Sequence, residues 1–361
     1  MNFSRRTVLF FLFWFSGIVV LVNHLAKSRV RQEEMSSEIS GLRKMLNPVI
    51  TRMLPVITNS KLNREVTKAT EEPKQASKVH VTHESHFTNK TDIEFEIDEI
   101  MNSTPKIEEI LKKIVSPTNT IIYVIVERSY IPLFKNFYAF AKMANVANFV
   151  LAICKDISCC KTLREMNVTY FPDMTWSGVG YSRFGSGDFK RKNNEKTEWT
   201  LKLLEYGYNV LMSDVDIILL KDPFPYMFRK CKSCDIHIGT NDNAEELNAG
   251  FVLVRNTSNG IEAVRQVVKT FKVKGQNQDH WNAALRKMKK QGLAINVLDE
   301  KLFPCGKTYF DKMRSRPDVL HDPKVVMIHN NYLKSSIKKV SRFKAFNLWF
   351  PNGVPSNLFK T

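Results

Sequence analysis

The sequence predicts an α/β domain built on a largely parallel β-sheet. Two observations support this prediction: short apolar runs with the length of strands, and segments with helical spacing of apolar residues between them. Unbroken apolar runs are typical of strands that are buried on both faces, as in a parallel sheet covered by helices. The alternation of the two patterns along the chain favours an α/β fold over separate helical and strand domains.

The predicted elements follow one another from about Thr120. Residues 121–126 form an unbroken apolar run and predict the first strand. Further segments predict strands at 148–153, 168–171, 208–213, 235–239, 250–254 and 325–328. Apolar residues at helical spacing predict helices at 133–144, 195–206, 261–271 and 281–288. Gly207, directly after the second of these helices, suits a C-terminal cap.

The composition is that of an ordered protein with one large domain or two small ones, since 43% of its 361 residues are hydrophobic. The 54 Lys and Arg against 36 Asp and Glu give a formal net charge of +18. A basic balance suits nucleic acid, an anionic membrane surface or anionic substrates. The charge is spread along the chain, without zinc-finger spacing or an RNA-binding aromatic motif. We therefore expect a solvated basic surface and no nucleic-acid partner.

The amino-terminal region predicts a membrane anchor followed by a stem. Residues 8–26 are mostly apolar, follow Arg5 and Arg6, and are just long enough to span a bilayer. No small-residue cleavage site clearly follows, so an uncleaved signal anchor is favoured over a cleaved signal peptide. Residues 1–7 then form a cytoplasmic tail. The polar residues 27–115 form a luminal stem ahead of an ordered domain at 116–361.

Sequons and cysteines fit a luminal chain, although positive charges on both sides of the anchor leave its orientation open. Four Asn-X-Ser/Thr sequons lie beyond the anchor, at Asn89, Asn102, Asn167 and Asn256. The six cysteines allow up to three disulfides. Cys231 and Cys234 could instead be half of a zinc site, but no second pair has ligand spacing, so a disulfide is favoured.

Two acids stand at the end of the strand predicted at 208–213. Asp214 and Asp216 lie between that strand and the apolar run 217–220, a placement that is costly unless something pairs their charges. Ligands gather at the carboxyl ends of strands in an open α/β sheet, and residues i and i+2 of an extended segment point to the same side. The pair therefore predicts a site for a hard divalent cation that is bound together with a substrate diphosphate.

Further segments, in a fixed order, give the chain a family resemblance. They are Leu203-Leu204 with Gly207-Tyr208, Ser213 to Asp216, Asp222-Pro223, Asp235-Ile236, Asn248 to Phe251, Gln278-Asp279 with Asn282, Leu298-Asp299 with Phe303 and Gly306, His329 with Asn331, Lys339 and Trp349. In these segments the sequence resembles the nucleotide-diphospho-sugar transferases, Golgi glycosyltransferases of the GT-A fold that include plant xylosyl- and arabinosyltransferases. The resemblance covers about residues 120–350. It implies a Rossmann-like sheet flanked by helices in a single catalytic domain, within a type II Golgi membrane protein.

The resemblance also implies a metal site. It assigns Asp214 to the ribose or the metal, Asp216 to direct ligation of Mn²⁺ (or Mg²⁺), and His329 to completion of the ligand set. Imidazole is a reasonable ligand for Mn²⁺ beside carboxylates, although a lone His is more often structural.

Three further positions are implied to bind the nucleotide sugar. Lys339 matches the family's lysine that neutralises the β-phosphate, and Lys196 stands near a basic residue of the family, ahead of the strand that carries Asp214. Gly250 permits close backbone approach. Ser335 stands where the family usually has Gly, which leaves open how closely this loop approaches the diphosphate.

Three residues are implied to act on the donor sugar as catalytic candidates. Asn248 offers a donor and an acceptor to sugar hydroxyls, and Gln278 and Asp279 form a wall where positive charge develops on the sugar. Asp242 is a weaker candidate for the same wall. Plainer alternatives exist, since Asn248 could be a turn that enters a strand and Asp279 could cap a helix amino terminus.

Two functions fit this sequence. The first is a metal-dependent glycosyltransferase that moves a sugar from a nucleotide sugar, with a UDP-sugar favoured, to a hydroxyl of a glycan or glycoprotein in the Golgi lumen. The resemblance implies retention of anomeric configuration. Because no nucleophile is evident, we favour a front-face mechanism in which the leaving phosphate takes the acceptor proton. The alternative is a catalytically inactive partner that binds sugar or nucleotide. The presence of Asp214, Asp216 and His329 together favours the enzyme.

Overall fold

The structure, a computed structural model, describes residues 90–174, 186–243, 245–312 and 324–355. The predicted tail, the predicted anchor, most of the predicted stem and the sequon at Asn89 lie outside these residues. Within the described ranges, no helix is both long and apolar enough to cross a bilayer.

The described residues form a seven-stranded mixed sheet and a small antiparallel ladder. The strands are β1 (Thr120–Val126), β2 (Val150–Cys154), β3 (Tyr170–Pro172), β4 (Asn209–Ser213), β5 (Ile217–Leu219), β6 (Ile236–Thr240), β7 (Leu247–Val254), β8 (Ile295–Val297) and β9 (Met327–His329). The large sheet has the order β3-β2-β1-β4-β7-β6-β8, and β5 pairs with β9. In the large sheet β7 runs antiparallel to β4 and β6, and the other pairings are parallel. The predicted α/β fold with a mostly parallel sheet is confirmed.

Helices cover both faces of the large sheet. They are α1 (Lys90–Ser103), α2 (Ile107–Ile114), α3 (Ile131–Met143), α4 (Ile157–Glu165), α5 (Gly187–Glu205), α6 (Phe224–Lys230), α7 (Ser258–Lys269), α8 (Asn277–Lys289) and α9 (Ser336–Ala345). Short 3₁₀ turns lie at Arg128–Tyr130, Ala147–Phe149 and Thr270–Lys272, and a π-helix lies at Lys307–Lys312. Helix α5 begins earlier than predicted because the Ser186 side chain accepts from the backbone N–H of Phe189 and caps its start.

The unbroken apolar run of β1 follows from this double coverage. Successive strand residues point to opposite faces. Ile122 packs on one face in a cluster that includes residues of α3, α4 and α6, and Tyr123 packs on the other with residues of α2, α5, α7 and α8. Because both faces of β1 are buried, the strand has no polar side and shows no alternation of apolar and polar residues.

The packed domain begins earlier than the sequence predicted. Ile107, Leu111 and Ile114 of α2 are buried in the same cluster as Tyr123 of β1. The predicted stem, residues 27–115, therefore overlaps the folded domain at its carboxyl-terminal end. The sequence did not predict α2 because this helix is short, only one of its faces is apolar, and it lies within a polar stretch.

The cysteines form two disulfides, Cys154–Cys160 and Cys231–Cys234. Cys159 and Cys305 are free and buried. The second disulfide confirms the favoured interpretation of that pair and removes the zinc alternative, because only a thiolate ligates the metal.

Candidate active site

The two predicted acids lie at the junction between the large sheet and the small ladder. Directly after β4, the backbone N–H of Asp214 still donates to the carbonyl of Gly250 on β7 over 2.8 Å. The chain continues through Asp216 into β5, which pairs with β9 so that Ile217 lies opposite His329. The ladder therefore places His329 beside both acids, although it is far from them in sequence.

Asp214, Asp216 and His329 converge on one point. A ligand atom of each residue lies within 4.8 Å of the others. The Nε2 atom of His329 is 3.7 Å from Oδ2 of Asp214 and 3.6 Å from Oδ1 of Asp216. In the part of the chain that the structure describes, this is where His, Cys, Asp and Glu side chains come close enough to hold an ion. Two carboxylates and an imidazole form a donor set that suits Mn²⁺.

Two lysines bracket the acids, one from α5 and one from α9. The Nζ atom of Lys196 lies 2.5 Å from Oδ1 of Asp214, and the Nζ atom of Lys339 lies 2.6 Å from Oδ2 of Asp216. Asp216 and His329 are buried, with 4% and 7% of their side chains exposed. Burial raises the pKa of the Asp216 carboxyl, but Lys339 and His329 outweigh it and hold that pKa well below its usual range. The site therefore keeps an ionised carboxylate where little water reaches.

The surroundings of these acids fit a bound cation. The Oδ2 atom of Asp216 is buried and receives no well-aligned hydrogen bond from the described residues, although Lys339 lies at ion-pair distance. A buried polar atom in this condition is uncommon unless an ion or water satisfies it. At position 250 a Cβ would lie 2.3 Å from Cε1 of His329 and 2.8 Å from Oδ2 of Asp214. Gly250 thus keeps the space beside the ligand atoms clear.

Asn248 is held at the edge of this cluster by its amide. Its Oδ1 accepts from the backbone N–H of Gly250 over 2.8 Å, and its Nδ2 donates to Oδ1 of Asn241 over 2.6 Å. Asn331 also donates to Asn241, over 3.4 Å. The buried Asn248 therefore belongs to a fixed polar floor beside the acids. Its role toward a donor sugar stays a prediction.

Gln278 and Asp279 lie at the start of α8, and their hydrogen-bond partners are Glu246 and Gln276. The exposed Asp279 carboxylate accepts from the backbone N–H of Gln276 over 2.8 Å and forms a capping box. The Nε2 atom of Gln278 donates to Oε1 of Glu246 over 2.6 Å. Asp279 thus has the capping role that was its plainer alternative, and the catalytic roles of both residues stay predictions.

Asp242 belongs to a polar group that the sequence revealed only in part. Its carboxylate pairs with Nζ of Lys307 over 2.5 Å and accepts from the hydroxyl of Tyr332 over 2.7 Å. Tyr332 has a φ of +64°, a conformation that costs a non-glycine residue about 1–2 kcal/mol. Such strain gathers at functional sites. Tyr332 lies three residues after the predicted ligand His329, and this proximity in the sequence is the signal by which Tyr332 could have been found.

Sequence reasoning missed two residues that fix the helix carrying Lys339. The Nδ2 atom of Asn330 donates to the carbonyl of Lys339 over 2.9 Å, and its Oδ1 accepts from Nε of Arg342 over 2.6 Å. Ser335 accepts from the backbone N–H of Lys338 over 3.1 Å and caps α9. The serine that stands in place of the family's glycine therefore sets the start of this helix, about one turn before Lys339.

One face of α5 contacts the residue that follows each of four parallel strands. The contacts are Lys192 with Glu127 after β1, Glu195 with Lys155 after β2, Trp199 with Asp173 after β3 and Lys196 with Asp214 after β4. Residues three or four positions apart share a helix face. Asp214, Asp216, Lys196 and Lys339 line one cleft together with Phe189 of this helix. The cleft is therefore bordered by most of the predicted nucleotide-binding residues.

A strand-end acid pair with a histidine, bracketed by lysines on a mostly parallel sheet, is the arrangement that the sequence predicted for a nucleotide-sugar transferase. The chain belongs to the nucleotide-diphospho-sugar transferase family, whose model matches residues 145–343, more than half of the chain. It is thus a glycosyltransferase by family, and the family together with the sheet order confirms the predicted GT-A class.

Named relatives are glycosyltransferases. The chain is 26% identical over 262 residues to UDP-D-xylose:L-fucose alpha-1,3-D-xylosyltransferase MGP4 of Arabidopsis thaliana, which covers 66% of this chain and 72% of that protein. It is 25% identical over 329 residues to arabinosyltransferase RRA1 of the same plant, covering 82% of this chain and 80% of that protein. Mouse xyloside xylosyltransferase 1 has a weaker structural similarity, with 11% identity and a TM-score of 0.40 over 60% of this chain and 99% of that chain.

Proposed function

We propose that the protein transfers a sugar from a UDP-sugar to a hydroxyl group of a glycan or glycoprotein, with Mn²⁺ or Mg²⁺ as the cation. The observation that carries this proposal is the convergence of Asp214, Asp216 and His329 beside Gly250. A cation held there supplies positive charge against the diphosphate leaving group. UDP is favoured because the relative MGP4 is named for UDP-D-xylose.

The chain's own charged residues divide this work. Asp214, Asp216 and His329 would hold the cation. Lys196 and Lys339 pair with the two acids in the structure, and they turn to the phosphate oxygens once the carboxylates serve as ligands. This exchange keeps the buried charge of Asp216 compensated at each stage, and an unpaired buried carboxylate would be costly.

The transfer retains the anomeric configuration through a front-face reaction in this proposal. The bond from the anomeric carbon to the phosphate oxygen breaks, the acceptor oxygen bonds to the same face, and the phosphate oxygen takes the acceptor proton. No protein nucleophile is needed. Asn248, whose amide is fixed beside Gly250, holds donor-sugar hydroxyls. Gln278 and Asp279 remain assigned to the opposite wall, which requires Asp279 to leave its cap at the start of α8.

A donor panel tests the proposed function. The full-length chain is incubated with UDP- and GDP-sugars, with Mn²⁺, Mg²⁺ or a chelator, and with or without an L-fucoside acceptor, because MGP4 is named for transfer to L-fucose. We expect nucleotide release from one or a few UDP-sugars that depends on the cation and rises with acceptor. Release that persists in chelator would exclude the metal role. Cation-dependent UDP binding without release from any donor would favour the inactive-partner alternative.

We also propose that the protein is a single-pass type II Golgi membrane protein, with a tail at 1–7, an anchor at 8–26 and a luminal chain from 27. Among the sequons, Asn102 and Asn167 are exposed and accessible to glycosylation. Asn256 is partly buried, and its Nδ2 donates to the carbonyl of Leu204. We therefore expect Asn256 to have a structural role and to carry no glycan.

Glycosidase treatment of the cell-made protein tests this topology. We expect a drop in apparent mass that is reduced by Asn102→Gln or Asn167→Gln and unchanged by Asn256→Gln. A mass that glycosidase does not alter, together with protease sensitivity from the cytosolic side, would overturn the luminal placement.

A further inference from the structure

A second cleft lies at the other end of the small ladder from the acid cluster. β5 begins beside Asp216 and leads to Lys221, while β9 follows Lys324 and ends at His329. At about 3.3 Å per residue, the chain runs roughly 10 Å from Asp216 to the end of β5 at Leu219, and Lys221 lies beyond that end. The lining of this cleft includes Lys221, Tyr226, Arg229, Lys230, Asn296 and Lys324.

The charge of this lining is strongly positive. Four of its side chains are basic, and the acid that joins them is Asp299. Arg229 and Lys230 lie in the last turn of α6, are exposed, and make no ion pair with a described residue. Cations are favourable at a helix carboxyl terminus, but that effect does not explain why they share a concave surface with an aromatic ring and an amide.

The uncharged part of the lining has the chemistry of a sugar site. The ring of Tyr226 is half-buried in the cleft wall, with Nζ of Lys221 5.8 Å from its centroid. The Nδ2 atom of Asn296 lies 3.3 Å from the carbonyl of Met227 and 3.0 Å from Nδ1 of His237. No described residue donates to Oδ1 of Asn296. The amide is thus held in place with one acceptor left for a ligand hydroxyl.

We propose that this cleft binds an acidic saccharide, a glycan segment that carries carboxylate or sulfate groups. Arg229 and Lys230 bind the acid groups, Tyr226 packs against the apolar face of a sugar ring, and Asn296 accepts from a hydroxyl. The site is separate from the donor cleft and needs neither nucleotide nor cation. If the proposed transfer reaction is correct, a glycan held here extends along the ladder toward the acid cluster, so the cleft selects acceptors with acidic groups away from the reacting hydroxyl.

Binding of a matched pair of oligosaccharides to the full-length chain tests the proposal. The probes are a galacturonic-acid oligomer and its fully methyl-esterified form, which has the same length without the charge, measured by calorimetry in chelator without nucleotide. We expect the acid to bind at least about tenfold more tightly than the ester, and the difference to shrink as salt rises. Equal affinity of the two forms would overturn the proposal.

A matched pair of variants locates the binding site. Arg229→Gln with Lys230→Gln removes two charges from the last turn of α6. Lys289→Gln with Lys290→Gln removes two from the exposed end of α8, where no ion pair with a described residue is lost. We expect the first pair to lose about tenfold in affinity for the acid and the second to stay within about twofold. Equal loss in both pairs would mean that only the overall charge of the chain acts, and would overturn the site.

Two further measurements test the saccharide part of the proposal. Tyr226→Phe keeps the ring and should bind the acid as the wild type does, whereas Tyr226→Leu should bind it more weakly at an unchanged melting temperature. Inorganic sulfate should compete only at concentrations far above that of the oligomer. Competition by sulfate at the same concentration, or full affinity in Tyr226→Leu, would show that the cleft recognises a simple anion and would overturn the assignment to a sugar.

Discussion

Two clusters of buried charge lie at the carboxyl ends of parallel strands, and α5 contributes to both. The acid site consists of Asp214, Asp216, His329, Lys196 and Lys339. The other, here named the Lys155 cluster, consists of Lys155, Asp173, Glu195 and Trp199. By residue type and position either cluster could be catalytic, and the difference between them lies in how their charges are compensated.

In the part of the chain that the structure describes, the charged groups of the Lys155 cluster pair with one another. The fully buried Lys155 lies 2.9 Å from Oδ2 of Asp173 and also pairs with Glu195. Trp199 donates its Nε1 to Asp173 over 2.8 Å. One ammonium thus serves two carboxylates, and burial raises the pKa of Glu195 although Lys155 opposes the shift. Such a network joins α5 to the residues that follow β2 and β3.

The acid site differs because positive charge surrounds one deeply buried acid. Asp216 faces both Lys339 and His329, which hold its pKa well below the usual range, yet its Oδ2 lacks a well-aligned donor. Gly250 keeps the adjacent space free of a Cβ. The comparison teaches that buried charge alone does not mark function. A buried oxygen without a well-aligned donor and a steric clearance beside the ligand atoms distinguish the acid site, and both fit a bound cation.

The largest expected effect comes from removing the cation of the Lys155 cluster. Lys155→Met should lower the free energy of unfolding by about 3–5 kcal/mol, because two buried carboxylates lose their cation. Urea denaturation of the folded domain measures the change. The triple variant, which adds Asp173→Asn and Glu195→Gln, removes the uncompensated charges and should recover much of the lost stability. It also provides a measurement if the single variant does not fold. A single variant within about 1 kcal/mol of wild type would show that the cluster has no structural role.

The acid site should respond above all in activity. Asp216→Asn should lower turnover at least about 100-fold, or about 2.7 kcal/mol of activation free energy, because the cation site and leaving-group stabilisation both weaken. Nucleotide release from the preferred donor with Mn²⁺ measures the effect. Asp98→Asn, an exposed acid on α1, is the control and should match wild type. Near-normal transfer by Asp216→Asn would remove the metal assignment and with it the distinction between the two clusters.

The sequence predicted the longer apolar strands and several helices with repeated apolar spacing, and it missed several shorter elements. β1, β4 and β7 are mostly apolar and were found from that feature. β8 spans only Ile295–Val297, and α9 buries only Phe343, so neither has enough apolar residues to form a period. α4 and α6 are short helices that lie beside strands and receive their stability from tertiary packing.

The same limit applies to the candidate site. The structure brings together six of the predicted site residues, namely Asp214, Asp216, Gly250, His329, Lys196 and Lys339. Asn330 and Arg342 act by fixing α9, through contacts that the sequence pattern does not contain. Asp279 shows the opposite error. The family motif suggested a role at the sugar, but the Asp279 carboxylate accepts from the backbone N–H of Gln276 and caps its own helix.

Two of the buried imidazoles, His237 and His329, extend the comparison, and His237 is the structural one. Burial lowers its pKa to about 4, while an unfolded His titrates near 6.5. Between these values the unfolded chain binds more protons, so the free energy of unfolding falls as pH falls through this window. The expected loss from pH 7 to 5 is about 2 kcal/mol. His237→Gln should remove this part of the pH dependence, as measured by urea denaturation at both pH values. An unchanged difference between pH 7 and 5 in the variant would show that His237 does not titrate in this way.

His329 should behave as a ligand, with the smallest of these effects. If its imidazole holds the cation that meets the diphosphate, then Mn²⁺ and UDP raise each other's affinity by equal factors, and loss of one ligand weakens this coupling by roughly tenfold or more. Calorimetry of UDP with and without Mn²⁺ measures the coupling. We expect His329→Ala to lose most of it while keeping a similar melting temperature without ligand, and His237→Gln to keep it in full. A His329→Ala variant that retains the whole Mn²⁺ dependence and only melts earlier would place His329 in the structural class with His237, and the acid site would then be one more buried charge cluster.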